Sequence, residues 1–310
     1  MFPALTGLAT TLALHGSGAD VATRLGLPAD ANEGLVFASA IGVAYTLIAV
    51  LERLLPHRSE WNRPQGDVRT DLAHLFITGV GTHQLVKGSL YGVAMGGAAW
   101  LSARLGFGLW PAHWHPLSQL VLALLIAELG HYWFHRWSHE RALIWRLHAA
   151  HHSAPRLYWL NATRFHPFDL FFLIVFQTLP LILLGAPSRT FTLYTLFTAI
   201  YGQIQHCNIA VRSGPLNWIF STPDLHRWHH STDSREGNAN YGAVLILWDV
   251  VFGTFFLPRG RAFTGAVGIE ALPRFPRGYL GQLLSPFRWE RIRADNMGWH
   301  VERPRSAAGQ

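Results

Sequence analysis

The sequence predicts an all-α fold: a multi-span transmembrane helical bundle of about four to five spans, with a histidine-rich helical cap on its cytosolic side. Three observations carry this expectation. Half of the 310 residues are hydrophobic and only 14% are charged. Several apolar runs approach the roughly 20 residues that a helix needs to cross a bilayer. Eleven of the eighteen histidines crowd between His131 and His230.

Residues 1–33 form an N-terminal segment that is apolar but lacks the basic start of a secretory signal, so it is expected to lie on or in the membrane rather than be cleaved. Residues 34–127 hold the first transmembrane helices. Leu35–Leu54 is the first span, ending in Glu52 and Arg53 at an interface. The second runs from about Leu72 to Leu101; its Lys87 and many glycines predict a tilted, kinked or partly re-entrant path. The third, Leu117–His135, is apolar until it meets the histidines. Phe168–Leu184 is the fourth span and Phe191–His206 the fifth, both inside the histidine-bearing region 128–256. The Pro- and Arg-rich residues 257–310 are expected to be a loosely ordered cytosolic tail.

Basic residues orient this bundle, because cytoplasmic loops carry an excess of Arg and Lys. With the amino terminus outside, Arg53, Arg58, Arg63 and Arg69, then Arg136, Arg141, Arg146, Arg156 and Arg164, all fall on the inner side. Little beyond Arg24, Arg104 and Arg189 falls opposite. The net charge of +7 therefore reads as topology and contact with anionic headgroups. No basic stripe with interleaved stacking aromatics is present, which excludes a nucleic-acid partner. The same orientation puts every histidine cluster on the cytoplasmic face, and the prevalence of Arg over Lys points to a bacterial inner membrane. A lone Cys207 excludes an intramolecular disulfide framework and a cysteine-rich metal site.

The clusters are His135/His139, His148/His151/His152 and His226/His229/His230. Residues three or four apart on a helix share a face, so each cluster can aim its imidazoles at one point. Glu128, His131, His135 and His139 continue one such face along the third span. Glu128 is a candidate to orient a neighbouring histidine from behind, and His131 is a candidate ligand, orienting group or substrate-facing residue. His206, at the end of the fifth span, is expected at the same depth as the clusters and is a candidate ligand. His166, before Pro167, is either an orienting group or a helix start. His15, His57, His74, His83, His113, His115 and His300 have no partner at ligand spacing.

Eight or nine nitrogen donors exceed what one ion takes, and they suit two ions at four or five protein ligands each. Imidazole binds zinc, copper, iron and nickel alike, so donor type leaves the metal open. No Ser-His-Asp or H-E-x-x-H arrangement is evident, and the donors face a lipid-embedded bundle. Oxygen chemistry on an apolar substrate fits these features best.

The runs Tyr132–Glu140 (YWFHRWSHE), Leu143–Ser153 (LIWRLHAAHHS), Pro223–Ser231 (PDLHRWHHS), Asn238–Gly242 (NANYG) and Trp248–Phe256 (WDVVFGTFF) resemble the fatty acid hydroxylase superfamily. Sterol desaturases and alkylglycerol monooxygenase belong to it. The resemblance implies an integral membrane non-haem diiron oxygenase whose metal ligands are His135, His139, His148, His151, His152, His226, His229 and His230, with His206 as a ninth. Asn240 and Asp249, inside the matching runs, become candidates for groups behind the ligands. It also implies two iron ions, with zinc able to replace them in purified protein, O2 as co-substrate, and hydroxylation or desaturation of a lipid or sterol-like substrate. No cytochrome b5 segment is fused, so a separate donor of cytochrome b5, ferredoxin or pterin type is expected. Rival readings are a lipid desaturase of the same family, a dizinc membrane hydrolase and a metal transporter. Phe165, Phe168, Phe171 and Phe172 are candidates for the walls of a lateral lipid entry, and Arg136, Arg146 and Arg227 adjoin the clusters.

Overall fold

The computed structural model describes residues 33–86, 88–89, 92–105, 108–269 and 271–297. The expected membrane association of the amino-terminal segment falls outside these residues, apart from Glu33. Among the described residues the chain is helical, with three isolated β-bridges and no strand.

α1 spans Glu33–Leu54 and presents nearly all of its apolar stretch outward. Among the described residues the expected second span is not one regular α-helix. It comprises α2 (Val68–Ala73), a π-helical turn (His74–Gly79), α3 (Val80–Val86) and α4 (Gly92–Leu105). Its His74–Gly79 turn is π-helical, a geometry common at functional sites. His74, without a ligand-spaced partner in the sequence, is buried in that turn and bonds Gln282 at 2.8 Å.

α5 (Pro116–Glu140) is the central element. Pro116 occupies its first turn, where a missing N–H costs nothing, and the His115 ring accepts the Leu117 N–H. α6 (Ala142–His152) follows after Arg141 alone. α7 (Pro167–Leu183) opens in the same way, with the His166 ring accepting the Phe168 N–H. α8 covers Ser188–His206. The compact region beyond holds α9 (Pro223–His229), α10 (Ser234–Gly237) and α11 (Leu247–Phe252).

Among the described residues, α1 and α5 are the two helices both long and apolar enough to cross a membrane. That is fewer than the expected four to five. At 17 residues α7 is apolar but short. α8 is long, but its polar side chains bond inside the fold: Gln205 donates to Ser221 Oγ at 2.6 Å and to the Gly242 carbonyl at 2.9 Å, and Tyr201 donates to the Ser221 carbonyl at 3.1 Å.

The core gathers Trp110, Ala123, Leu124, Ala127, Leu181, Tyr194 and Val244, joining α5, α7 and α8 to the loop before α11. The tail departs from expectation. Residues 271–297 carry α12 (Tyr279–Leu284) and α13 (Trp289–Met297), and Leu272, Phe275, Trp289 and Ile292 bury themselves against Ala149 of α6. Its aromatic residues give it enough apolar area to dock, which its Pro and Arg content obscured.

α5 and α7 approach closely at Gly130, where an added Cβ would stand 2.0 Å from the Phe176 carbonyl oxygen. Gly130→Ala must therefore separate two backbones and should destabilise the protein by about 1–3 kcal/mol, as overpacking does. Gly202→Ala in α8, with nothing within 4 Å of its Cβ, is the control and should be neutral or stabilising. Denaturation midpoints in detergent check both; equal midpoints would refute the close approach.

Candidate metal centre

Four pieces of chain converge at the carboxyl end of α5. α5 supplies His135 and His139 from one face, α6 supplies His148, His151 and His152, and α8 ends in His206. α9 with its capping residue supplies His226, His229 and His230. The nine imidazoles fall into two sets: His135, His139, His148, His152 and His229, and His151, His206, His226 and His230. Within each set one nitrogen per ring lies within 4.8 Å of the others. The rings of His152 and His230 stack across the two sets at 4.3 Å between centroids, so the sets are neighbours.

The outward nitrogens explain the orientation. His135 Nδ1 donates to the Tyr241 carbonyl at 2.7 Å, His229 Nδ1 to the Ala239 carbonyl at 2.8 Å and His151 Nδ1 to the Arg164 carbonyl at 3.3 Å. Side-chain oxygens take three more. His148 Nδ1 donates to Asp169 at 2.8 Å, His206 Nδ1 to Asn161 Oδ1 at 3.0 Å and His139 Nδ1 to Asn238 Oδ1 at 3.1 Å. A neutral imidazole carries one N–H, so each of these six rings turns an Nε2 lone pair inward.

Facing lone pairs are the decisive feature. His135 Nε2 stands 3.1 Å from His148 Nε2, and both rings hold their hydrogen on the far nitrogen. No hydrogen bond can form there. In the second set His206 and His226 approach at 2.8 Å between Nε2 atoms, and His226 and His230 at 3.0 Å. The Nε2 atoms of His139, His152 and His229 are buried without any partner. Metal–imidazole bonds of about 2.0–2.1 Å place neighbouring donor nitrogens about 3 Å apart at right angles, so cations fit both sets. Burial, reinforced by neighbouring imidazoles, holds His148, His151, His152, His226, His229 and His230 well below the usual histidine range. They stay neutral, as ligands must.

Other candidates act elsewhere. Glu128 does not orient a histidine; one of its oxygens accepts the N–H groups of Ala243, Val244 and Leu245 at 2.9–3.2 Å. His131 lies outside both sets, its Nδ1 2.7 Å from Gln177 of α7. His166 caps α7 and bonds the Leu283 carbonyl. Asn240, at φ 57°, bonds the Leu225 and Phe256 carbonyls and accepts the Phe256 N–H, while Asp249 accepts the N–H groups of Tyr241 and Gly242. Together they fix the turn whose carbonyls receive His229 and His135. Arg227 is buried on the carbonyls of Cys207 and Ile209. Arg136 pairs with Glu140 and Arg146 with Glu290.

Sequence reasoning missed Asp169, Asn161 and Asn238. Asp169 had a signal: it is the single charged residue of the apolar run PFDLFFLIVF, and a lone charge there is costly unless partnered. Asn161 is held in turn by Tyr158 N–H and the Arg156 carbonyl, in a loop that Arg156–Asp67 and Arg164–Asp71 ion pairs at 2.7 and 2.6 Å tie to α2.

Among the described residues, two helices of membrane-spanning length and paired all-histidine nests define a helical protein with a candidate dinuclear metal centre. A family model described as Fatty acid hydroxylase matches residues 120–254. The chain is 41% identical over 242 residues to an ornithine lipid hydroxylase of Rhizobium tropici, covering 78% of this chain and 72% of that protein. It is 33% identical over 181 residues to an alkylglycerol monooxygenase of Danio rerio, covering 58% of this chain and 38% of the relative. A sterol desaturase of Gibberella zeae is 26% identical, with 49% and 42% covered. Against these last two relatives the chain thus spans less than half their length. No solved structure matches. The chain belongs to the fatty acid hydroxylase family.

Removing the carboxylate behind His148 should loosen its ring. Asp169→Ala is expected to weaken metal binding by roughly 10–100-fold, with Asp169→Asn milder because an amide oxygen still accepts the N–H. Metal titration of the stripped variants checks this; unchanged affinity in Asp169→Ala would refute the role of Asp169.

Proposed function

We propose that the protein is a membrane-embedded, dinuclear non-haem iron oxygenase that hydroxylates a polar membrane lipid. The observation carrying this reading is the pair of adjacent all-imidazole sets in a buried site, with the unprotonated Nε2 atoms of His135 and His148 facing one another in the first and the Nε2 atoms of His206 and His226 in close approach in the second. His135, His139, His148, His152 and His229 would hold one ion, and His151, His206, His226 and His230 the other. Iron bound there would supply the redox equivalents for O2 to attack an unactivated C–H bond.

The overall change is R–H + O2 + 2 e⁻ + 2 H⁺ → R–OH + H2O, so the lipid loses a C–H bond and gains a hydroxyl. The electrons come from a separate donor on the cytoplasmic side, toward which the histidine end of α5 points in this reading. The chain's own residues orient and shield. Carbonyls and carboxyl or amide oxygens keep six ring hydrogens on Nδ1, and Phe165, stacked at 4.2 Å on His151, excludes water from one flank. Phe168 and Phe172 lie exposed on α7, where an acyl chain would pass. Phe171 packs edge-on to Phe172 and extends that surface.

The lipid class is taken from the ornithine lipid hydroxylase, 72% of which is covered at 41% identity. Desaturation is the in-family rival, favoured by the sterol desaturase similarity at lower identity and coverage.

Stripped protein in nanodiscs containing ornithine lipid should recover O2- and reductant-dependent conversion with ferrous iron but not with zinc, giving a product heavier by one oxygen atom. A product lacking two hydrogens would assign a desaturase, and O2-independent turnover with zinc a hydrolase. His151→Ala and His229→Ala should each abolish turnover and lower bound metal while helical content by circular dichroism stays unchanged. Full activity in either would remove that histidine from the ligand set.

A further inference from the structure

The segment around α11 packs against the middle of α5 rather than against its histidine end. Glu128, which accepts the three N–H groups of Ala243, Val244 and Leu245, is the thirteenth of the 25 residues of α5. The Trp248 indole donates to the Leu125 carbonyl, still deeper along the helix, at 3.1 Å. At 1.5 Å rise per residue, Glu128 lies about 10 Å from His135 toward the membrane midplane. Tyr201 and Gln205 of α8 satisfy Ser221 and Gly242 in the same segment, and Ile219 and Val244 exchange backbone bonds with Ile246 and Ser221.

Irregular backbone persists in hydrocarbon only where protein groups satisfy it. Here side chains from α5 and α8 do so, which gives the carboxylate at the centre of α5 a physical purpose. The outer face of the segment is apolar. Ile219, Leu247, Val250 and Phe252 are exposed, as are Val251 at 58% and Trp218 at 60%. Trp218 stacks on Phe255, and Arg259 borders the same groove, an aromatic–basic edge of the kind that anchors at headgroups. An apolar patch continuous with a spanning helix is matched by lipid.

We infer that residues 216–221 and 243–255 together form a membrane-inserted wedge: its Trp218, Ile219, Leu247, Val250, Val251 and Phe252 face contacts lipid beside α5, with Glu128 serving as the internal acceptor for its backbone. This rests on the membrane-embedded reading above. It brings lipid against the stretch that follows Tyr241, whose carbonyl receives His135.

Nitroxide labels on Val251→Cys and Leu247→Cys in a Cys207→Ala background, reconstituted in phospholipid nanodiscs, test it. Both labels should collide several-fold more often with O2 than with a water-soluble nickel chelate, matching Val43→Cys on α1. Ser234→Cys on α10, exposed to water, should show the opposite ratio. If Val43→Cys is lipid-exposed while Val251→Cys and Leu247→Cys favour nickel, the wedge is wrong and the embedded reading stands. If Val43→Cys also favours nickel, both fall. Low collision with both reagents at 247 and 251 would indicate a protein interface, such as a second copy, and would overturn the lipid contact.

Discussion

Everything in this fold turns on two unprotonated imidazole nitrogens being held face to face. His135 and His148 cannot bond each other, because the Tyr241 carbonyl and Asp169 hold their hydrogens on the opposite sides. Without a cation the approach is repulsive, so the surrounding structure must impose it. It does so with six Nδ1 acceptors drawn from three stretches of chain: Asp169 on α7, Asn161 and Arg164 before it, and Asn238, Ala239 and Tyr241 beyond α9. The centre is thus preorganised from its periphery, as metal sites are when their outer partners fix ring orientation.

The remaining buried polar groups serve that periphery. Asp249 and Asn240 hold the turn bearing the Ala239 and Tyr241 carbonyls. Asp67 and Asp71 tie down Arg156 and Arg164, in the loop that reaches His151 and His206. Glu128 anchors the backbone after Tyr241 from the middle of α5. The two carboxylates that look costly within apolar helices are both matched: Glu128 by backbone donors of the loop packed against it, and Asp169 by the His148 ring of α6.

The legible part of this arrangement was local and periodic. Helical spacing was enough to group His135 with His139, and His148 with His151 and His152, because three- and four-residue intervals fix a face. The division between two sets was not legible: His151 leaves its neighbours His148 and His152 and joins His206, a consequence of how α6 lies between α5 and α8. Glu128 shared the histidine face yet serves a loop more than a hundred residues away, and no spacing rule reports such a contact. The count of apolar runs took α7 and α8 as spans alike, and hydropathy does not register that α7 has 17 residues or that Gln205 and Tyr201 of α8 have internal partners. The tail was misjudged because composition could not show that Phe275 and Trp289 have a surface on α6 to bury.

Iron K-edge X-ray absorption, with metal quantification, on anaerobically iron-loaded protein tests the central claim most directly. The account predicts two irons per chain in a nitrogen shell with the outer-ring scattering of imidazole. One iron or none per chain, or a shell dominated by oxygen, would contradict it.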